Sequence, residues 1–280
     1  MGGLFIIGWG RVGSALGTQA RGGVKLIGVE TRDPGRRRAA RRVLGKASAP
    51  IAKADLIALA VPDAAIARVA SELVPRVKRG QVIFHLNGSI DLSPLAPLAA
   101  VGALPGSLHP YCSVASSDSP LRGCSCAIDG SPKARAALRR LANAVGLRPL
   151  SSPPHDRVRY HLSAVLTVAA AGVAAASSGR LLAAAGVKAP EARRALAAIL
   201  RSVAFNLDQN APGAALTGPF ARGDLDRIRL QLAALATDPD AAALYRVIGR
   251  LSAHLAPSLS PESRASVEAL LEGVLLEGVL

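Results

Sequence analysis

Four side chains in this sequence have the types needed to move a proton or grip an acid: His109, His161, Thr217 and Arg222. An imidazole can give a proton to an oxygen or nitrogen that gains negative charge. A guanidinium can hold a carboxylate through two parallel hydrogen bonds, and a hydroxyl can orient the group beside it. A second kind of chemistry is written into Gly8-Trp9-Gly10-Arg11-Val12-Gly13, which spells G-x-G-x-x-G. Gly8 allows a tight turn, Gly10 lets backbone amides approach a pyrophosphate, and Gly13 lets a helix pack closely on a strand. A cradle for a dinucleotide and a proton donor are the two requirements of hydride transfer to a small substrate.

The glycine spacing has meaning only between a strand and a helix. Residues 3–7 form an apolar run that predicts a strand, and residues 12–20 predict the helix whose N-terminus would face the phosphates. A second strand over 24–29 runs into Glu30-Thr31-Arg32, where such a site reads the adenosine ribose. Glu30 suits a free 2′-hydroxyl, whereas Thr31 and Arg32 suit a 2′-phosphate, and the arginine-rich surroundings favour NADP over NAD. Arg37, Arg38 and Arg41 read as the solvent face of the next helix. Residues 55–61 form a nearly continuous apolar run, as in a strand covered on both faces of a parallel sheet. Its end, Val61-Pro62-Asp63, borders the cofactor, with Asp63 expected to cap a helix over 64–73.

Further strands over 81–85 and 103–108 end in Leu86-Asn87-Gly88-Ser89 and His109-Pro110-Tyr111. Polar side chains therefore collect at successive strand ends. Asn87 and Ser89 would orient a carbonyl or carboxylate, or else satisfy their own loop, and His85 reads as structural. A strand over 124–128, a helix over 131–145 and a strand over 148–150 complete a dinucleotide-binding domain of residues 1–152. Ser151-Ser152-Pro153-Pro154 reads as a linker. The pattern then becomes all-helical over 156–280, with helices predicted at 156–185, 190–210, 225–236 and 239–254. Between them lies Thr217-Gly218-Pro219-Phe220-Ala221-Arg222-Gly223-Asp224. Thr217 and Arg222 have the look of a substrate grip; the rival reading makes Asp224 a helix cap paired with Arg222.

Composition narrows the partners. The net charge is +15, yet aromatic residues make up only 3% of the chain and no aromatic-basic interleaving occurs, which argues against nucleic acid. Residues 162–179 carry no charge, but their Ala, Ser, Thr and Gly content favours a buried helix over a membrane span. That helix is apolar on nearly every face, which predicts a homodimer core. The three cysteines form no even framework and no paired zinc motif, so no metal site is expected. With no charged leader before the first strand, these features point to a cytoplasmic protein.

The stretches GWGRVGSAL, AVPDAAI, HLNGS, SLHPYCS, GCSCAIDG, RYHLSA and ALTGPFARGD together resemble a family of Rossmann-like proteins with a C-terminal helical domain of unknown function. Its members are described as NADP oxidoreductases and are distantly similar to pyrroline-5-carboxylate reductase, ketopantoate reductase and 6-phosphogluconate dehydrogenase. The resemblance implies a doubly wound, mostly parallel Rossmann-type sheet followed by an all-α domain, and an NADP oxidoreductase of no settled substrate; the candidate residues themselves suggest NADPH-dependent reduction of a small carbonyl or imine acid. The resemblance places His161 where related dehydrogenases carry a catalytic cation, unless it is a packed core histidine; His109, by its own place at a strand end, is the second donor or else shapes the pocket. Asn87 stands where the family pattern suggests Ser, and Ala169 where it suggests Asn. Those departures leave open a member that binds or senses the dinucleotide without turnover.

Overall fold

The computed structural model describes residues 2–20, 24–45 and 48–273. Its first part alternates strand and helix: β1 (Gly3–Ile7), α1 (Arg11–Gln19), β2 (Lys25–Glu30), α2 (Pro34–Leu44), β3 (Leu56–Leu59), α3 (Ile66–Leu73), β4 (Val82–His85), α4 (Ala96–Ala100) and β5 (Leu104–Tyr111). Then follow β6 (Ser125–Gly130), α5 (Pro132–Val145) and β7 (Arg148–Pro149). The strands form one sheet in the order β2-β1-β3-β4-β5-β6-β7. The pairs from β2 to β5 are parallel, β6 runs antiparallel to β5, and β7 is parallel to β6.

Strand periodicity explains the apolar runs. Leu4, Ile6, Leu56, Ala58, Val82 and Phe84 face one layer with α1 and α5. Phe5, Ile7, Ile57, Leu59 and Ile83 face the other layer with α3 and α4. Neighbouring residues point to opposite faces, so a strand covered on both sides is apolar at every position.

Two local expectations are corrected. β5 does not stop before His109, because its antiparallel partner continues the ladder: His109 faces Ala127 and Tyr111 faces Ser125. Asp63 does not cap α3, since a 3₁₀ turn over Asp63–Ala65 intervenes and neither turn nor helix has a side-chain cap. Asp33 does cap α2, accepting from the Arg36 amide at 2.7 Å.

By its contacts the chain divides into residues 1–168 and 169–280, so the first unit takes in the opening turns of the long helix α6 (Arg157–Ala184). The second unit holds the remainder of α6, then α7 (Ala189–Gln209), α8 (Pro212–Ala215), α9 (Pro219–Arg222), α10 (Leu225–Ala234), α11 (Pro239–Leu255) and α12 (Pro261–Glu272). Ile228, Ala253, Val267 and Leu271 form its core. The Leu- and Glu-rich tail after 273 lies outside the described residues.

The expected burial of α6 is not met within the single chain. Leu162, Leu166 and Val173 are exposed, Leu166 by 67%, and only 6% of the most apolar stretch is buried. The helix is long and apolar enough to cross a membrane by length and composition.

Candidate functional site

The glycine turn has the shape its sequence demands. Gly8 sits at φ +94°, and a Cβ there would lie 2.3 Å from the Ala60 carbonyl oxygen, so neither the conformation nor the space admits a side chain. Gly13 fails for a different reason: its Cβ would lie 2.7 Å from both Ala60 Cβ and Gly8 O, the distance of a helix pressed on its strands. Gly10 differs from both. It has ordinary extended geometry, and only the Arg36 guanidinium comes within 4.0 Å of a Cβ placed on it. Open space therefore lies over Gly10, at the N-terminus of α1, which has no side-chain cap. Free amides and the positive end of a helix dipole facing open space are what a pyrophosphate requires. A dinucleotide thus fits the residues present.

A cavity of about 370 Å³ continues from this turn, walled by Gly8, Thr31, Arg32, Val61, Pro62 and Arg76. Trp9 borders it, but the indole is only 5% exposed and fills the space beside Gly17, so its side chain is chiefly a packing element. Arg11 and Val12 open α1, the first exposed and the second half-buried. Asp63 is exposed beside the Pro62 end of the wall. At the ribose end the Gly8 amide donates to the Glu30 carbonyl at 2.8 Å, which fixes Glu30 beside the turn. Its carboxylate is held by both terminal nitrogens of Arg76, at 2.5 and 3.2 Å. Arg32, 81% exposed at the side chain, has Glu72 as its nearest acid at 3.9 Å. Arg36 is a cation the sequence reading did not single out, although it lies one helical turn after Arg32.

A second group of side chains gathers on the carboxyl side of β5 and the first turns of α6. Tyr160 Oη lies 3.2 Å from His109 Nδ1, and the two rings meet edge to face. The His161 ring centroid is 5.6 Å from that of His109. Tyr111 Oη bonds Ser163 Oγ at 2.9 Å, which in turn donates to the Tyr160 carbonyl at 2.6 Å. Arg157 anchors this end of the helix, reaching Asp129 at 2.5 Å and the Ser107 hydroxyl at 3.2 Å. Arg157, Tyr160 and His161 fall at i, i+3 and i+4, on one helical face. Tyr160, Arg157 and Asp129 were missed from sequence; that spacing was the signal available.

Burial sets the protonation states. It pushes His109 down to about 4, with the nearby His161, His85 and Arg157 adding to the effect, so the imidazole is neutral at physiological pH. Burial likewise pushes the Tyr160 phenol up to about 12, so it keeps its proton. His85 is fully buried and structural: its Nε2 meets the Asp91 carbonyl at 2.9 Å and its Nδ1 accepts from the Asn87 amide at 3.3 Å. Desolvation lowers its pKa as well.

The Asn87 loop packs against this group, since a Cβ on Gly88 would lie 2.7 Å from the His109 ring. Asn87 Oδ1 is committed to its own loop, accepting from the Ser89 and Ile90 amides at 2.7 and 2.8 Å and from the Ser89 hydroxyl at 3.0 Å. The carboxamide NH₂ is the part of Asn87 left for a ligand.

Thr217 and Arg222 belong to the second unit. Gly218, at φ +101°, starts the short helix α9, and Phe220 anchors the loop by packing on Tyr245, ring centroids 4.9 Å apart. Asp224 caps α10 as expected, accepting from the Arg227 amide at 3.1 Å. Both Thr217 and Arg222 are exposed, and no ion pair joins Arg222 to Asp224 among the described residues. Among those residues, too, no cluster of three or more His, Cys, Asp or Glu is placed to hold a metal.

Comparison with known proteins finds two family matches, the second beginning within the first unit, just before β6. Residues 3–110 match a Rossmann-like domain, and residues 124–252 match a domain of unknown function, DUF2520. No curated protein matches the chain. Among solved structures it is similar to a protein from Bacteroides fragilis provisionally described as an NADP oxidoreductase, with 21% identity, TM-score 0.73, and coverage of 90% of this chain and 98% of that one. It is similar to 1-pyrroline-5-carboxylate reductase from Streptococcus pyogenes at 16% identity and TM-score 0.61, covering 90% and 98% of the two chains. A third is an NADH-preferring ketol-acid reductoisomerase from an uncultured archaeon, at 13% identity and TM-score 0.59, covering 98% and 87%.

Proposed function

From a chain that joins a Rossmann-like domain to a DUF2520 domain, we propose an NADPH-dependent oxidoreductase that reduces a small carbonyl or imine acid. The observation that carries the reading is the pairing of a neutral Tyr160 with a neutral His109 on the same carboxyl edge of the sheet as the glycine turn. Gly8, Gly10, Gly13 and the N-terminus of α1 would hold the pyrophosphate; Arg32 would meet the 2′-phosphate. When bound, the nicotinamide supplies the hydride. Tyr160 gives its hydroxyl proton to the substrate oxygen or nitrogen that gains charge. His109, as its Nδ1–H tautomer, steadies the phenol oxygen and returns that proton to it while its Nε2 takes up one from solvent, so the imidazole stays neutral. His161 stands beside this pair as a second polar group for the substrate. Thr217 and Arg222 are the proposed grip on its carboxylate, supported by their exposure and chemistry alone.

Calorimetry is expected to give NADPH tighter binding than NADH, with Arg32→Ala losing roughly tenfold or more of the preference, because a charge-assisted phosphate contact is worth about 1.5–3 kcal/mol. Equal affinities in the unmutated protein would reject the NADP preference and make Glu30 the ribose reader. Loss of NADPH absorbance with 2-oxo acids and cyclic imines then tests for turnover; binding with no substrate across such a screen would favour a sensing role.

A homodimer is proposed alongside, supported by the exposed apolar faces of α6 and α7, Leu166 and Phe205 among them. Sedimentation at micromolar concentration should give twice the chain mass of 28.6 kDa. A monomeric mass would reject the dimer and leave those faces to another partner.

A further inference from the structure

The cavity beside the glycine turn contains a carboxylate at the position that reads a ribose, and that carboxylate is already taken. Glu30 closes β2, and Arg76 grips both of its oxygens from the 3₁₀ turn after α3, 46 residues further along the chain. An acidic side chain at the end of the second strand would accept from a ribose 2′-hydroxyl and would repel a 2′-phosphate. A two-pronged ion pair suppresses both effects, because it cancels the charge and engages both oxygens.

The other acids of this wall are also committed. Asp33 caps α2, and Glu72 is bonded by Arg68. Among the described residues Arg36, over Gly10, forms no ion pair, and the exposed Arg32 has only the long 3.9 Å contact with Glu72. Arg76 differs from them in being spent on Glu30.

We propose that Arg76 is the residue that sets the choice of dinucleotide: by masking Glu30 it converts an NAD-type ribose corner into one that admits a 2′-phosphate. This rests on the dinucleotide-binding reading given above. Arg76 acts through Glu30, so it is a positioning and charge-masking group rather than a direct phosphate ligand. Without it, the freed Glu30 would repel the phosphate of NADPH and offer its oxygens to the ribose of NADH.

The test is a set of NADPH and NADH dissociation constants for the unmutated protein, Arg76→Met, Glu30→Gln, the double variant, and Arg76→Lys, each checked for an unchanged melting temperature. Arg76→Met should weaken NADPH about tenfold or more and leave NADH unchanged or tighter. Glu30→Gln should keep NADPH affinity, and the double variant should recover most of the NADPH loss, since no charge is left to mask. Arg76→Lys, which retains the charge, should keep the preference and serves if the Met variant does not fold. An NADPH-to-NADH ratio unmoved by Arg76→Met would overturn the proposal. A double variant as weak as Arg76→Met would overturn it too, by making Arg76 a direct ligand. If the unmutated protein binds neither dinucleotide, the functional reading fails and this inference with it; binding of both with an unaltered ratio removes the inference alone.

Discussion

Tyr160→Phe is expected to lower turnover about 10²- to 10⁴-fold, the range for loss of a positioned general acid, while the NADPH dissociation constant stays the same. The substitution removes one oxygen and leaves the ring packed against His109 and Tyr111. His109→Gln should produce a smaller fall, because the phenol keeps its proton but loses its partner. The pH profile follows from the two shifted groups. Tyr160, at about 12, stays protonated, and His109, at about 4, stays neutral, so turnover should be level across the neutral range. As pH falls towards 4, His109 gains its proton at Nε2 and keeps its Nδ1–H, so its contact with Tyr160 is retained and no fall in turnover is expected from this group. Full turnover in Tyr160→Phe together with a loss in His161→Gln would move the donor role to His161.

The second large effect separates two glycines of one motif. Gly10→Ala should leave the melting temperature unchanged, since its backbone is ordinary and the space above it is open. Its methyl group would stand where phosphate oxygens approach, and losing one or two amide contacts to a charged group should weaken NADPH roughly 10- to 100-fold. Gly13→Ala should do the reverse in order of cause. Its Cβ meets Ala60 and the Gly8 carbonyl at 2.7 Å, so α1 must move away from β1 and β3. Overpacking of this kind costs about 1–3 kcal/mol, or roughly 2–4 °C in melting temperature per kcal/mol for a unit of this size. Equal melting losses in both variants would show that the space over Gly10 is not a ligand cradle.

The sheet was legible because its signals are local and periodic. Residues 56–61 are apolar without a break, and the two-sided burial of Leu56, Ile57, Ala58 and Leu59 is the reason. The glycine turn was legible because each glycine answers a separate steric demand. The extent of β5 was not, since Pro110 suggests a stop and the antiparallel register that overrides it comes from β6, more than a dozen residues away. Asp63 had a capping residue's chemistry but not its position, because the chain inserts a 3₁₀ turn before α3.

In the candidate site, the histidines drew notice because their pKa makes them visible at any position. Tyr160 gains its role only from the 3.2 Å approach of His109, a pairing across 51 residues that no local pattern announces. Arg76 was hidden in the same way. Its sequence neighbours say only that a helix ends, and its partner Glu30 looks complete as a ribose reader until the fold closes over it.

β1 is made before β2 and β3, yet it lies between them in the sheet. Pairing with β2 is available early, but the contacts that shape the turn, from Ala60 to Gly8 and Gly13, come from beyond the end of β3. During synthesis the apolar face of β1 must wait for that segment, and closure of so distant a pair is slow compared with helix formation. The emergence of β3 therefore sets when the cradle forms. A nascent chain halted before Ala60 carries the whole glycine motif and still has no site.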